Sequence, residues 1–353
     1  MCNNSNAQTN QSNVIQISKS KILSIVVSLI LSFSLLYLNP TIADDSIPSS
    51  YKQIGISQIV EHPALDAVRQ KMLFSLKEQG FEEGKNLKVF YENAQGNMVT
   101  ATQIASKLLH SNLDLVVGIS TSSAQTLFYE ARKLENKTPI VFSAVSDPKA
   151  AKLESSEGYP ITGITDTAHL EGLLELMGYM MPKLKTLGLM YNPAEVNSVS
   201  TIERLKKLLK ERGIKFVEVT VNKTQDVAQA TKSLIGKVDA LYFPQDNTLV
   251  SAITTVVKVA TGGSPLLPVI LPIFTNDPIL IKKGILAAVG YDYEDMGKET
   301  GQVVARILKG ESPQQIPVHN PRELKAIVNV PLANKLGFSI PKKLQYSIIQ
   351  VVE

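Results

Sequence analysis

The amino-acid sequence predicts an α/β protein built as two similar lobes, each around a parallel sheet. Two observations carry this. Short β-branched runs alternate with helix-patterned stretches, which is the signature of βαβ units. The alternation is also spelled twice, with polar residues gathering after the strands in both copies. Two lobes in series enclose a cleft.

The first copy opens on the apolar run Ile54-Gly55-Ile56 and continues with a helix over Ala64 to Gln79. A short strand at Leu87 to Tyr91, a helix over Thr100 to Leu109 and the buried-looking strand Leu113 to Ile119 come next. Pro139 to Ala144 and Ile161 to Ile164 complete this copy. The second copy has a strand at Thr186 to Met190, a helix over Val199 to Arg212, a strand at Lys215 to Thr220, a helix over Asp226 to Leu234 and a strand at Val238 to Phe243. In the helix over 199–212, Ile202, Leu205, Leu208 and Leu209 form one face, and Arg204, Lys206 and Lys207 a solvated one. Gly262 to Pro272 carries three prolines among apolar residues. Proline removes a ladder donor, so this stretch reads as a loop followed by a short strand around Ile270 to Phe274. A strand at Ile285 to Val289 precedes an amphipathic helix over Glu294 to Leu308 that Gly310 stops. Leu324 to Val330 is a further strand, and Pro331 to Leu336 and Lys342 to Val351 are short helical pieces.

The N-terminus reads as an address. Ile22 to Leu38 is an apolar and serine run preceded by Lys19 and Lys21 and followed by the small-x-small pattern Thr41-Ile42-Ala43. Basic region, apolar region and small-residue site make a secretory signal, residues 1–43, cleaved after Ala43, with a leader over 44–52. An uncleaved membrane anchor is the alternative, because a spanning helix needs about 20 apolar residues and this run approaches that.

Composition narrows the function. The 353 residues are 44% hydrophobic and 19% charged, a soluble balance long enough for two domains. The net charge of +4 is spread out with no basic stripe, so nucleic acid is not an expected partner. Cys2 is the only cysteine, which excludes an intrachain disulfide and a Cys nucleophile. The histidines, His62, His110, His169 and His319, have no paired metal-ligand spacing, and no metal is expected. No P-loop and no Gly-x-Gly-x-x-Gly follows a strand, so no nucleotide cofactor has a cradle.

In open α/β sheets, ligands bind beyond the carboxyl ends of the strands. The candidate binding residues are those that follow each strand. In the first copy they are Ser57, Gln58 and His62, then Asn93 and Gln95, Thr121, Ser122 and Ser123, and Ser143, Ala144 and Asp147. Asp166 follows the crossing strand; Tyr191, Asn192 and Asn197, then Asp246, Asn247 and Thr248, and finally Asp292 belong to the second copy. The hydroxyls at 120–123 precede a helix, whose open N–H groups suit a carboxylate. Asp166, Asp246 and Asp292 suit an ammonium, and Tyr91, Tyr191, Tyr242 or Tyr291 could stack on an apolar side chain. That set matches a zwitterion. Taken singly, these residue types are also ordinary helix caps and turn formers. No catalytic base or nucleophile stands out.

At these residues the chain resembles a known family. Ile54-Gly55-Ile56-Ser57-Gln58-Ile59-Val60-Glu61-His62-Pro63-Ala64-Leu65-Asp66 is similar to the opening of ABC-transporter substrate-binding proteins of the tryptophan/tyrosine type. So are Tyr91 to Asn97, Ser143 to Pro148, Tyr191 to Ser198 and Asp246-Asn247-Thr248, in order, across Gln53 to Val352. The resemblance implies a type 1 periplasmic-binding-protein fold with two Rossmann-like lobes joined by a hinge of three crossovers. It implies lobe 1 as residues 53–164 plus 292–319, and lobe 2 as residues 165–291 plus 320–353. It implies a periplasmic monomer that captures a small solute, an amino acid or analogue, and delivers it to an ABC permease with its separate ATPase. It carries over binding loops at Thr121 to Gln125 and Tyr291-Asp292-Tyr293. The chain departs from the pattern at the proline-rich stretch 261–274, and Thr121-Ser122-Ser123 stands where the family more usually has Thr-Pro. A membrane-tethered sensor and an enzyme acting on a small polar substrate in the same cleft are the other readings.

Overall fold

The computed structural model describes residues 51–153, 158–262, 270–340 and 348–351. The expected signal segment, and the leader up to residue 50, lie outside the described residues. The first sheet is built from β1 (Lys52–Gln58), α1 (Pro63–Glu78), β2 (Leu87–Asn93), α2 (Met98–His110), β3 (Leu115–Ile119), α3 (Thr121–Lys133), β4 (Ile140–Val145) and β5 (Ile161–Thr165). Its strands run parallel in the order β2-β1-β3-β4-β5. Every residue of β3, β4 and β5 is buried, as unbroken apolar runs require when helices cover both faces of a parallel sheet.

The second sheet follows α4 (Leu170–Met180). It comprises β6 (Thr186–Tyr191), α5 (Val196–Glu211), β7 (Lys215–Thr220), α6 (Val227–Leu234), β8 (Ala240–Phe243), α7 (Asn247–Ser251), α8 (Ile253–Gly262), β9 (Ile273–Thr275) and β10 (Ala287–Tyr291). After α9 (Tyr293–Leu308) come β11 (Leu324–Asn329), α10 (Val330–Lys335) and β12 (Ile348–Val351). The order is β12-β11-β10-β9-β8-β6-β7, parallel throughout except between β10 and β11.

The chain passes between the sheets three times: after β5, after β10, and before β11. The first and third passages lie side by side, since Ile164 bridges His319 and the Thr165 amide donates to the His319 carbonyl at 2.9 Å. The second delivers α9 onto α1 in the first lobe. Two glycines permit that packing. A Cβ on Gly297 would lie 2.4 Å from the Val68 carbonyl oxygen, and one on Gly301 2.6 Å from that of Met72.

The described structure differs from the sequence-based reading in several places. The antiparallel β10–β11 pair interrupts an otherwise parallel arrangement. Residues 348–351, read as helical, are the edge strand β12, while 342–347 lie outside the described residues. Strand β9 starts at Ile273 rather than Ile270, consistent with proline's missing donor at Pro272. Lys52, read as leader, begins β1. Helices α4, α7 and α8 were not anticipated. Among the described residues no helix is long and apolar enough to cross a membrane.

Candidate functional site

Both sheets belong to one compact unit, Ser50–Glu353. The carboxyl ends of their strands face each other and enclose a narrow chamber. Its walls include His62, Leu65, Thr121 and Ala144 from the first lobe, Asn197, Asn247, Val250 and Asp277 from the second, and Asp166 and Tyr293 at the crossovers. A wider outer chamber lies beside it, and Asn247 lines both. The inner chamber offers about 20 Å³ to a water-sized guest and the outer about 290 Å³.

The first-lobe wall is strained. Ser120 has φ +92° and Ala144 has φ +56°, left-handed conformations rare outside glycine. Both sit where a strand ends. At Ala144 the pairing of β4 with β5 also slips by a bulge between Ser143 and Val145. The Ser120 hydroxyl caps α3 by accepting from the Ser123 amide at 3.4 Å. The first helical amides, at Thr121 and Ser122, have no intrahelical acceptor and carry the positive end of the helix dipole. Thr121 lines the inner chamber, and Ser122 the outer.

Opposite lie acceptors. Asp166 is buried, taking hydrogen bonds from the Ser146 hydroxyl at 2.8 Å, the Tyr293 hydroxyl at 2.9 Å and the Gln245 amide at 3.2 Å. Burial pushes its pKa up against those bonds. Asp277 is also buried; burial raises its pKa to about 8, against the Ile279 amide that it caps. Neither carboxylate forms an ion pair with a described residue. Six buried side-chain atoms have no hydrogen-bond partner among the described residues; apart from the hydroxyls of Ser57, Ser75 and Ser123, they are Thr121 Oγ1, Asn197 Oδ1 and Gln245 Oε1. The last three residues line the inner chamber. Orphaned buried polar atoms are rare and mark places where a guest belongs.

His62 closes one side. Its Nδ1 caps α1 by accepting from the Leu65 amide at 3.5 Å, which leaves Nε2 to donate to Asn247 Oδ1 of the other lobe at 3.4 Å. Burial lowers its pKa to about 4, outweighing Asn247, Asp66 and Glu195, which act the other way. Glu195 in turn holds Asn247. Its carboxylate accepts from the amides of Asn247 at 2.8 Å and Thr248 at 2.9 Å, from Asn247 Nδ2 at 2.7 Å and from the Thr248 hydroxyl at 2.8 Å.

Of the sequence candidates, His62, Thr121, Ala144, Asp166, Asn197 and Asn247 reach the inner chamber. Gln95, Ser122, Asn192 and Thr248 reach the outer one. The others are engaged elsewhere. Gln58 bonds Asp66 and Arg69, and Asn93 caps the turn at Gln95. Ser57 and Ser123 are buried without lining either chamber, and Ser143 bonds Thr300 on α9 at 2.8 Å. Asp147 caps Ala150 and accepts from the Ser200 hydroxyl across the cleft. Tyr191 points to Glu218. Asp246 is wholly buried as the cap of α7, bonded also to the Asn192 amide and the Ser198 hydroxyl, each at 2.7 Å. Asp292 caps α9 and pairs with Lys325 at 2.9 Å; despite the opposing effect of burial, that pair and the capping amides hold it below the usual carboxylate range. The proposed ammonium partners Asp246 and Asp292 are therefore engaged by capping amides, by Ser198 and by Lys325, and line neither chamber. Tyr242 is core, bonded to Asn276. Ser120, Ser146, Gln245, Asp277 and Tyr293 were not named singly as binding residues, although Ser120 stood in the hydroxyl run before α3, Gln245 in the stretch after β8, and Ser146 and Tyr293 in carried-over loops.

A two-lobed α/β body with an acceptor-rich chamber between the strand ends defines a solute-binding protein. The family model for ABC transporter substrate binding proteins matches residues 53–352, and the chain belongs to that family. A tyrosine-binding protein of Clostridioides difficile is 35% identical over 326 residues, covering 89% of this chain and 91% of the relative. The ABC domain from Streptococcus pneumonia in complex with L-Trp superposes with a TM-score of 0.76 at 30% identity, covering 83% of this chain and 97% of that one. The ligand-free, open structure of a substrate-binding protein with adhesive properties from Clostridium difficile gives 0.61 at 37% identity, covering 85% and 100%.

Proposed function

We propose that this protein is the extracytoplasmic receptor of an ABC importer, and that it captures an aromatic amino acid by closing its lobes around it. The observation that carries this is the inner chamber. Two buried carboxylates with no cation among the described residues line it together with Thr121 at the start of α3, whose next residue, Ser122, opens on the outer chamber; the set suits an ammonium in the inner chamber and a carboxylate of the same zwitterion at the helix N-terminus beside it. The ammonium would meet Asp166, Asp277, Gln245 Oε1 and Asn197 Oδ1, and the carboxylate the amides of Thr121 and Ser122. A bound ammonium restores the charged form of both aspartates.

Closure is a hinge motion across the three crossovers. Two features support a closed arrangement here. His62–Asn247 and Asp147–Ser200 bond across the cleft. The chain also superposes better on the L-Trp complex than on the open structure, although it is more identical in sequence to the latter. The likeness to the tyrosine-binding relative supports an aromatic guest. The partner is a membrane permease with a separate ATPase, and the signal segment delivers the receptor outside the cytoplasm. No covalent step is part of this function.

Thermal shift across the amino acids and common sugars tests it. Tyrosine or tryptophan should raise the melting temperature in a concentration-dependent way, and each should be recovered chemically unchanged. Stabilisation by a sugar alone, or conversion of the guest, would refute the proposal.

A further inference from the structure

The inner chamber has space for roughly one water-sized group. That suffices for an ammonium, not for an amino acid. The outer chamber offers more than ten times that space, and the two share Asn247. Its first-lobe side carries the apolar Ile59, Val60 and Met98 beside Gln95, Gly96 and Ser122, and its far side the polar loop at Lys223 and Thr224. At Asn247, which lines both chambers, His62 of the inner chamber makes a weak contact, Nε2 to Oδ1 at 3.4 Å. Asn247 itself is fixed by two hydrogen bonds to Glu195.

We infer that the outer chamber is the side-chain subsite: the guest leaves its ammonium in the inner chamber and extends between His62 and Asn247 onto the wall of Ile59, Val60 and Met98. This deepens the proposed function and rests on it. The apolar wall with a polar far edge suits an amino acid whose side chain is long, apolar along its length and tipped by a hydrogen-bonding atom. The rigid Asn247 then sets the width of the passage. A larger ring is penalised because His62 must move further, while Asn247 cannot yield.

The test is calorimetric titration of tyrosine and tryptophan into the full mature protein and three variants. Met98→Asp places a charge on the wall at an exposed first-turn position where an acidic residue favours the helix. Val60→Asp does the same from the neighbouring loop. Each should weaken tyrosine binding by roughly tenfold or more. Asn247→Ala widens the passage and should raise the tryptophan-to-tyrosine affinity ratio by roughly tenfold. Wild-type tyrosine affinity in both aspartate variants, with folding verified by circular dichroism, would overturn the subsite. An unchanged ratio in Asn247→Ala would overturn the passage. Wild-type protein that binds neither amino acid would instead remove the proposed function and this inference with it.

Discussion

The loop after β3 and the loop after β8 occupy matching places in the two lobes, yet they have opposite characters. Both start a helix with hydroxyl and amide residues. In the first lobe, Ser120 is held at φ +92° and Thr121 Oγ1 is buried without a partner among the described residues. In the second, Asp246 and Glu195 together accept seven hydrogen bonds: three by Asp246, from the Asn192 amide, the Ser198 hydroxyl and the Leu249 amide, and four by Glu195, from Asn247 and Thr248. One loop keeps binding capacity in reserve; the other, Gln245 Oε1 apart, spends it on its own rigidity. A strained and unsatisfied loop points to a guest, whereas a saturated loop points to scaffold.

The largest expected effect lies at the carboxylate that saturates the second-lobe loop from the N-terminus of α5. Glu195→Ala orphans several donors and should cost on the order of 3 kcal/mol of unfolding free energy in urea denaturation. Thr121→Val, in the unsatisfied loop, should change stability by less than about 1 kcal/mol, because an apolar isostere replaces a hydroxyl that has no partner. Its effect should be on tyrosine affinity instead. Equal stability losses in the two variants would break the comparison.

Acid and base should act on the chamber in opposite directions. Asp277 is raised from 3.8 to about 8, so its neutral form favours the folded state. That contribution is whole below 3.8 and is lost as pH rises through 8. His62 is lowered from 6.5 to about 4, so the unfolded chain takes a proton that the folded one refuses, and stability falls as pH drops from 6.5 towards 4. Asp277→Asn should flatten the alkaline limb of the ligand-free stability profile. His62→Asn, which keeps a cap at α1, should flatten the acid limb. Retention of both slopes in the double variant would assign them elsewhere.

A smaller effect should come from Ser200→Ala, which removes the cross-cleft bond to Asp147. It should speed tyrosine release by roughly three- to fivefold in stopped flow, as the loss of about 1 kcal/mol from the closed state implies. An unchanged release rate would mean that the bond does not resist opening.

Much of the architecture was legible because burial leaves a plain trace. Leu115-Val116-Val117-Gly118-Ile119 can hardly be anything but a central parallel strand. The stop of α9 at Gly310, which takes φ +101°, followed from local chemistry. What was hidden depended on distant partners. Two elements were not hidden in this way: Ile348, Ile349 and Val351 are β-branched, and in α4 Leu170, Leu173, Leu174 and Met177 recur at helical spacing with Glu171 and Glu175 off that stripe. At the site, the residue types were right but the partners were not. Asp166, Asp246 and Asp292 look alike in sequence, and only the fold decides that Lys325 meets Asp292, that Ser198 meets Asp246, and that no cation meets Asp166 among the described residues. Asp277 follows a proline-rich stretch in which the start of the short strand before it was read three residues early.

Titration of tyrosine into Asp166→Asn and Asp292→Asn, side by side, tests the central claim most directly. Asp166→Asn should lose about 2–5 kcal/mol of binding free energy, because the guest's ammonium loses a buried charged partner. Asp292→Asn should bind as the wild type does, since Asp292 is committed to Lys325 and to the start of α9. Wild-type affinity in Asp166→Asn, or a comparable loss in Asp292→Asn, would contradict the account.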